Sequence, residues 1–188
     1  MPIETNCQEI CENQDTIKYF IRPGISVYKD IMNCYNERQD SLLCYLFYNF
    51  YNIRGLKTED KIKCLKYFLQ PQNLTKEELY NKINAITKRN ELSLTTKLFH
   101  TAKPDNIIID IYVREFCGRK NDALNIKLWN DIEQDLRKDC VLYLGTIFDN
   151  LFSDSREIST SKKIDFMIWG WGKWKKWKIF DETYQKTK

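Results

Sequence analysis

Apolar side chains recur at intervals of three and four residues through most of this 188-residue chain, and this spacing is the feature that most constrains its fold. Such intervals place apolar residues on one face of an α-helix, whereas a half-buried strand requires strict alternation of apolar and polar residues. The chain also contains only 6 glycines and 4 prolines, which are few for a turn-rich β protein. The sequence therefore predicts an all-α fold.

Local start and stop signals divide this pattern into successive helices. The segment 75–78, Thr-Lys-Glu-Glu, has the sequence of a capping box. Thr58 precedes two acidic residues and is expected to begin another helix, which Pro71 should end. Gly118 is expected to close a later helix, because glycine readily adopts the left-handed conformation that follows many helices.

Three further segments give expectations about where the chain turns and where its core lies. The sequence Arg-Pro-Gly at 22–24 predicts a turn. The segment 42–51 is apolar on nearly every side, which predicts that its helix is the hydrophobic centre of the fold. A last helix is expected from Ser161 to Trp169, and it leads into Gly-Trp-Gly and a tail of lysines and tryptophans.

The length and composition favour one domain. A chain of this size with 43% hydrophobic residues is long enough to bury a core without disulfides or metals. No internal repeat, low-complexity tract or Gly/Ser linker divides it. We therefore expect a single compact multi-helix domain over residues 1–188, with a basic Trp/Lys-rich C-terminal segment from about residue 169.

The N-terminus and the cysteines indicate an intracellular protein, cytoplasmic or nuclear. The first residues resemble no secretory signal, and no run of eighteen apolar residues predicts membrane insertion. The seven cysteines are odd in number and mostly isolated, as free thiols are in a reducing compartment. Cys7 and Cys11 are spaced for half a metal site, but no second Cys/His pair completes it. We expect neither a metal nor another cofactor.

The formal net charge of +4 is concentrated near the C-terminus. From position 162 onward there are eight lysines against three acidic residues, a local balance of +5. Within residues 169–178 aromatic and basic side chains alternate, as they do on surfaces that stack bases and pair with phosphates. The candidate nucleic-acid-binding residues there are Lys173, Trp174, Lys175, Lys176 and Trp177.

The same tail has two other interpretations. The tryptophans at 171, 174 and 177 would pack the segment onto the core if the intervening lysines face water, and this is as favoured as nucleic-acid binding. Binding to an anionic membrane surface is a weaker third alternative.

One stretch in the middle of the chain has the order of a known catalytic motif. Thr96 and Lys97 lie on a predicted helix, and after a short loop Asp110 follows three isoleucines and precedes another helix, with Val113 in its first turn. This arrangement resembles the central motif of the helix-hairpin-helix DNA glycosylase superfamily, over roughly residues 90–117. In that family a hairpin leads into a helix with a Thr/Arg-Lys pair, and an Asp opens the following helix.

The sequence also departs from the family pattern. The hairpin position, residues 90–94, contains no glycine, and the interval of 13 residues from Lys97 to Asp110 is short for a glycosylase. There is no C-terminal cluster of four cysteines of the kind that iron-sulfur members of the family carry.

The resemblance implies a fold and an activity. It implies a DNA-binding enzyme, with DNA favoured over RNA, that hydrolyses the N-glycosidic bond of a flipped, modified or damaged base. Asp110 would be the key carboxylate, because a fixed negative charge stabilises the oxocarbenium-like sugar. Lys97 would be the candidate nucleophile for a Schiff base. Thr96, which corresponds to the first member of the family's pair, is a candidate nucleic-acid-binding residue.

Taken one at a time, these residues have simpler interpretations. Asp110 alone is most typical of a helix N-cap, and Lys97 of a solvated surface charge. His100 is more typical of a packed or surface imidazole, and as the only histidine it makes Ser-His-Asp hydrolysis improbable. The alternative function is a non-enzymatic helical domain that binds nucleic acid or another protein.

Overall fold

The structure is a computed structural model that describes residues 2–69 and 74–186. These residues form α-helices and no β-strand, which confirms the all-α prediction. The helices are α1 (Ile3–Glu12), α2 (Gln14–Asn36), α3 (Asp40–Phe50), α4 (Thr58–Leu69), α5 (Lys76–Thr87), α6 (Leu92–Ala102), α7 (Ile111–Phe116), α8 (Ile126–Asp135), α9 (Asp139–Leu151) and α10 (Thr160–Lys186).

The predicted start and stop signals are mostly confirmed. The Thr75 hydroxyl accepts a hydrogen bond from the Glu78 amide, and the Glu78 carboxylate accepts one from the Thr75 amide, which completes the capping box of α5. Gly118 follows α7 with φ of 71°, the left-handed conformation expected of it. Helix α4 begins at Thr58, and the predicted stop at Pro71 lies outside the described residues.

The turn predicted at 22–24 is wrong, because α2 continues through Pro23. Proline removes one backbone hydrogen bond from a helix interior, but the two turns of α2 before it are fixed by packing. Ile17 and Ile21 are fully buried against α10, and Gly24 lies directly beside the ring of Phe166. These tertiary contacts outweigh the local preference for a turn.

Helix α10 is the central element of the fold, and the predicted end of this helix at Trp169 is wrong. It packs against α1, α2, α7 and α9. Gly170 and Gly172 lie inside it because neighbouring helices approach closely there. A Cβ atom at Gly170 would lie 2.6 Å from Ile21 Cγ1, and one at Gly172 would lie 2.1 Å from Tyr112 Cδ1. Both glycines therefore permit close packing rather than ending the helix.

Helix α3 is not the hydrophobic centre that its composition predicts. Leu43, Phe47 and Tyr48 are buried, but Leu42 and Tyr45 are 47% and 69% exposed. The helix covers the edge of the core with one face, whereas the middle of α10 is buried on most sides. None of the helices in the described ranges is long and apolar enough to cross a membrane.

Candidate functional site

A surface pocket of about 510 Å³ lies between α3, α6, α7 and α10. This volume is within the range of small-ligand sites. Its walls carry five aromatic side chains, namely Phe50, Tyr51, Tyr112, Phe166 and Trp169. Its charged lining consists of two carboxylates, Asp110 and Asp165, and five cations, Lys97, Arg114, Lys162, Lys173 and Lys176. The pocket therefore brings together the predicted pair Lys97 and Asp110, and it has an excess of positive charge.

Asp110 is the N-cap of α7, as its sequence position predicts. Its Oδ1 accepts hydrogen bonds from the amides of Tyr112 and Val113, at 2.8 and 3.0 Å. Both bonds use the same carboxylate oxygen, so capping leaves Oδ2 for the pocket that Asp110 lines. The capping role and a role in the pocket are thus compatible in one side chain.

Thr96 holds the segment that leads to Asp110. Its hydroxyl accepts a hydrogen bond from the Ile109 amide at 3.0 Å and donates one to the Ser93 carbonyl at 3.1 Å. The side chain is fully buried, so it cannot touch a nucleic acid, and its prediction as a nucleic-acid-binding residue is wrong. The Thr96 hydroxyl instead ties α6 to the residue before Asp110.

Lys97 is only 8% exposed, so the simpler interpretation of a solvated surface charge is wrong. Its Nζ donates to Ser93 Oγ at 2.9 Å and lies 5.5 Å from the centre of the Tyr51 ring. Burial lowers the pKa of the Lys97 ammonium, and the negative charges of Asp110 and Asp165 oppose that shift in part. The neutral amine is therefore more accessible at Lys97 than at an exposed lysine.

The pKa of Asp110 is shifted in the opposite direction to that of Lys97. Burial raises the pKa of its carboxyl group, the positive charge of Lys97 lowers it, and the nearby carboxylate of Asp165 raises it further. Hydrogen bonds from the Val113 and Tyr112 amides favour the ionised form. Paired groups with opposed shifts of this kind are common in functional sites.

The pocket also contains an ion pair that the sequence analysis missed. Lys162 Nζ donates to Asp165 Oδ2 at 2.7 Å, and both residues are buried near the start of α10. The ammonium also lies 4.5–5.4 Å from the ring centres of Tyr28, Phe50, Tyr51 and Phe166. The available signal was the pair of opposite charges three residues apart where a polar segment passes into the apolar stretch that begins at Phe166.

His100 is a packed imidazole, which confirms its simpler interpretation. Its Nδ1 lies 2.6 Å from the Asn106 carbonyl, which can only accept, so this nitrogen carries the proton. Its Nε2 then accepts from the Tyr28 hydroxyl at 3.1 Å. Burial lowers the pKa of His100 to about 3, and the positive charge of Lys162 contributes. The ring is therefore neutral at physiological pH.

The aromatic part of the predicted nucleic-acid-binding segment requires a correction. Trp171 is fully buried and Trp174 is 4% exposed, so Trp174 packs in the core and its ring is not available to stack on a base. Both tryptophans follow the packing alternative instead. Trp177 differs from them, since it is 44% exposed and contacts Phe20.

The lysines of that segment are distributed around α10. Lys173 and Lys176 line the pocket, and Lys176 Nζ donates to the Tyr112 hydroxyl at 3.0 Å. Lys175 points elsewhere, with its ammonium 4.4 Å from the centre of the Trp171 ring. Only part of the basic segment therefore faces the pocket.

All seven cysteines are free thiols. Burial raises the pKa of the Cys7 thiol well above its ordinary value, and the neighbouring Cys140 thiol of α9 raises it further. Within residues 2–69 and 74–186, no group of three or more His, Cys, Asp or Glu side chains has the arrangement of a metal site.

Comparison with known proteins finds no matching family model, no matching curated protein and no matching solved structure.

Proposed function

We propose that this chain removes a modified or damaged base from DNA by hydrolysing the N-glycosidic bond of a flipped nucleotide. The observation that carries the proposal is the position of Lys97 and Asp110, which lie on different elements and line one pocket with aromatic walls. The order of these residues in the sequence resembles that in helix-hairpin-helix DNA glycosylases, and this resemblance supports the same assignment of roles.

Asp110 would supply the negative charge that the reaction requires. When the bond between the sugar C1′ and the base nitrogen breaks, the base leaves with the bonding electrons and positive charge develops on the sugar. The ionised Asp110 carboxylate stabilises that charge and orients a water through Oδ2. The water adds to C1′, and its proton passes to the departing base or to solvent.

The remaining lining suits a nucleotide drawn out of a DNA strand. The half-buried ring of Trp169 offers an apolar face on which a base can stack. Arg114, Lys173 and Lys176 supply positive charge for the flanking phosphates. An aromatic interior combined with cations is the arrangement that a base with attached phosphates requires.

Lys97 would be the nucleophile in a bifunctional version of the reaction. Its lowered pKa increases the fraction of neutral amine, which can attack C1′, expel the base and form a Schiff base with the opened sugar. Lys162 is a poorer candidate, because its ammonium is bonded directly to the Asp165 carboxylate at 2.7 Å. We therefore assign any covalent step to Lys97.

The test is direct incubation with a panel of oligonucleotides, each carrying one modified base, followed by alkaline cleavage at abasic sites. We expect cleavage of at least one substrate by the wild type and none by Asp110→Asn. Tight DNA binding without base release from any substrate would overturn the proposed enzymatic activity and favour a non-enzymatic nucleic-acid-binding domain. Absence of both would favour a protein-interaction domain.

A further inference from the structure

One face of α10 runs from the floor of the pocket to its rim. Lys162, Asp165, Phe166, Trp169, Lys173 and Lys176 all line the pocket, and apart from the adjacent pair Asp165 and Phe166 each follows the previous one after three or four residues. At 100° per residue these positions occupy a single stripe about 100° wide along the helix.

The same stripe continues beyond the pocket. Phe180 and Tyr184 follow Lys176 at intervals of four residues and lie within the same angular range. They are 68% and 49% exposed, and their rings stack nearly in parallel, with centres 6.3 Å apart and 13° between planes. The stripe therefore ends in an exposed aromatic surface, formed by Phe180 and Tyr184, that is continuous with the pocket.

The part of α10 that carries this aromatic surface has an excess of positive charge. Residues 173–186 contain five lysines and two acids, and Lys173 and Lys176 lie on the stripe itself. At 100° per residue, Asp181 and Glu182 lie outside the stripe, about 60° or more beyond Tyr184 around the helix axis. A polyanion can thus follow the stripe from the pocket to Phe180 without meeting a carboxylate of this helix segment.

We propose that Phe180 and Tyr184 bind unpaired DNA next to the nucleotide held in the pocket. The inference rests on the DNA partner of the proposed function and extends it to a second contact. Aromatic rings flanked by lysines bind single strands because bases stack on the rings while phosphates pair with the ammonium groups. In a duplex the base faces are covered by their neighbours, so this surface selects a strand that is locally unpaired.

The test is fluorescence anisotropy with a labelled 12-nucleotide single strand and with the same sequence as a duplex. We expect Phe180→Ala combined with Tyr184→Ala to weaken single-strand binding about tenfold or more, and to change duplex binding little. The loss should persist at every salt concentration, because stacking contributes no counterion release.

Tyr143→Ala is the matched control. Tyr143 is an exposed aromatic residue on α9, two residues from Gly145, which contacts Thr160 at the opposite end of α10. This variant should bind the single strand like the wild type. Far-UV circular dichroism verifies that each variant is folded.

Wild-type affinity of the double variant for the single strand would overturn the inference, and so would a loss confined to RNA or to anionic vesicles. These experiments distinguish a failure of this inference from a failure of the proposed function. If the wild type releases a base while the double variant binds normally, only this inference fails. If single-strand binding depends on both rings but no base is released, only the glycosylase proposal fails.

Discussion

At the scale of single residues, the two oxygens of Asp110 have different environments. Oδ1 caps α7 through two backbone amides, and Oδ2 is left for the pocket. A cap needs an acceptor, which the asparagine side chain also supplies, whereas stabilisation of an oxocarbenium-like sugar needs a full negative charge. One substitution can therefore separate the two roles.

Asp110→Asn should leave the free energy of unfolding within about 1 kcal/mol of the wild type, because Asn caps helices nearly as well as Asp. The single-turnover rate of base release should fall by at least about 100-fold. Urea denaturation and a quenched-flow assay measure the two quantities. Full base release by the variant, on a substrate that the wild type cleaves, would show that Asp110 is only a cap.

Base release should also depend on pH in a direction fixed by Asp110. Only the ionised carboxylate stabilises the cationic sugar, so the rate should rise as pH increases through the Asp110 pKa. Burial raises that pKa, so the acidic limb of the profile should lie above the ordinary carboxyl range. The measurement is the single-turnover rate against pH, and a flat profile across that limb contradicts the assignment.

Lys97→Gln should abolish covalent trapping by borohydride if the enzyme forms a Schiff base. In the wild type the trapped fraction should increase as pH rises through the Lys97 pKa, because the neutral amine is the nucleophile and burial lowers that pKa. Lys175→Gln is the control, since Lys175 does not line the pocket. A monofunctional enzyme would never be trapped, and Lys97→Gln could then retain some base release.

The sequence allowed Asp110 and Lys97 to be placed in one candidate site because both belong to a motif within a short stretch of the chain. Lys162 and Asp165 were missed, since their place in the same pocket depends on how α10 packs against α2 and α7. Thr96 was assigned to the wrong role for a similar reason. Its hydroxyl accepts a hydrogen bond from an amide 13 residues away, and no local pattern shows that α6 is buried on nearly every side.

At the scale of helices, α10 illustrates why local signals fail. Two glycines in three residues indicate a helix end when the sequence is considered alone. In the structure they lie where Ile21 and Tyr112 approach the α10 backbone, and a side chain at either position would collide with them. The capping box of α5, by contrast, depends only on residues within one turn, and it was predicted correctly.

Gly172→Ala should destabilise the protein by about 1–3 kcal/mol, the usual cost of overpacking. The new Cβ would lie 2.1 Å from Tyr112 Cδ1, so the Tyr112 ring must move and its hydrogen bond with Lys176 must change. Because Tyr112 lines the pocket, base release should fall as well. Thermal unfolding and base-release rates measure both effects.

Gly145→Ala on α9 is the matched control for that substitution. Its Cβ would lie 3.4 Å from Thr160 Cγ2, a tight but tolerable contact, and alanine is favoured over glycine in helices by about 1 kcal/mol. The variant should be at least as stable as the wild type. Equal losses in both variants would show that the close approach of Tyr112 is not the cause.

At the scale of the whole molecule, positive charge and the pocket occur on the same side of α10. Lys173 and Lys176 line the pocket, whereas the net charge of the complete chain is only +4. A small net charge predicts weak non-specific attraction to DNA, but a local group of cations still releases counterions when phosphates bind. The lysines at the pocket, rather than the total charge, should therefore determine the salt dependence.

We expect DNA affinity to fall steeply between low and moderate salt, and the slope of log K against log salt to decrease by about 2 in Lys173→Gln/Lys176→Gln, about one for each lost phosphate contact. Lys63→Gln/Lys66→Gln on α4 makes the same change in net charge at exposed positions outside the pocket lining. Its slope should match that of the wild type, because distant exposed charges are screened. Anisotropy titrations at five salt concentrations measure all three slopes. Equal slopes for the two double variants would mean that DNA does not lie along the pocket face of α10, and binding that is independent of salt would exclude DNA as the partner.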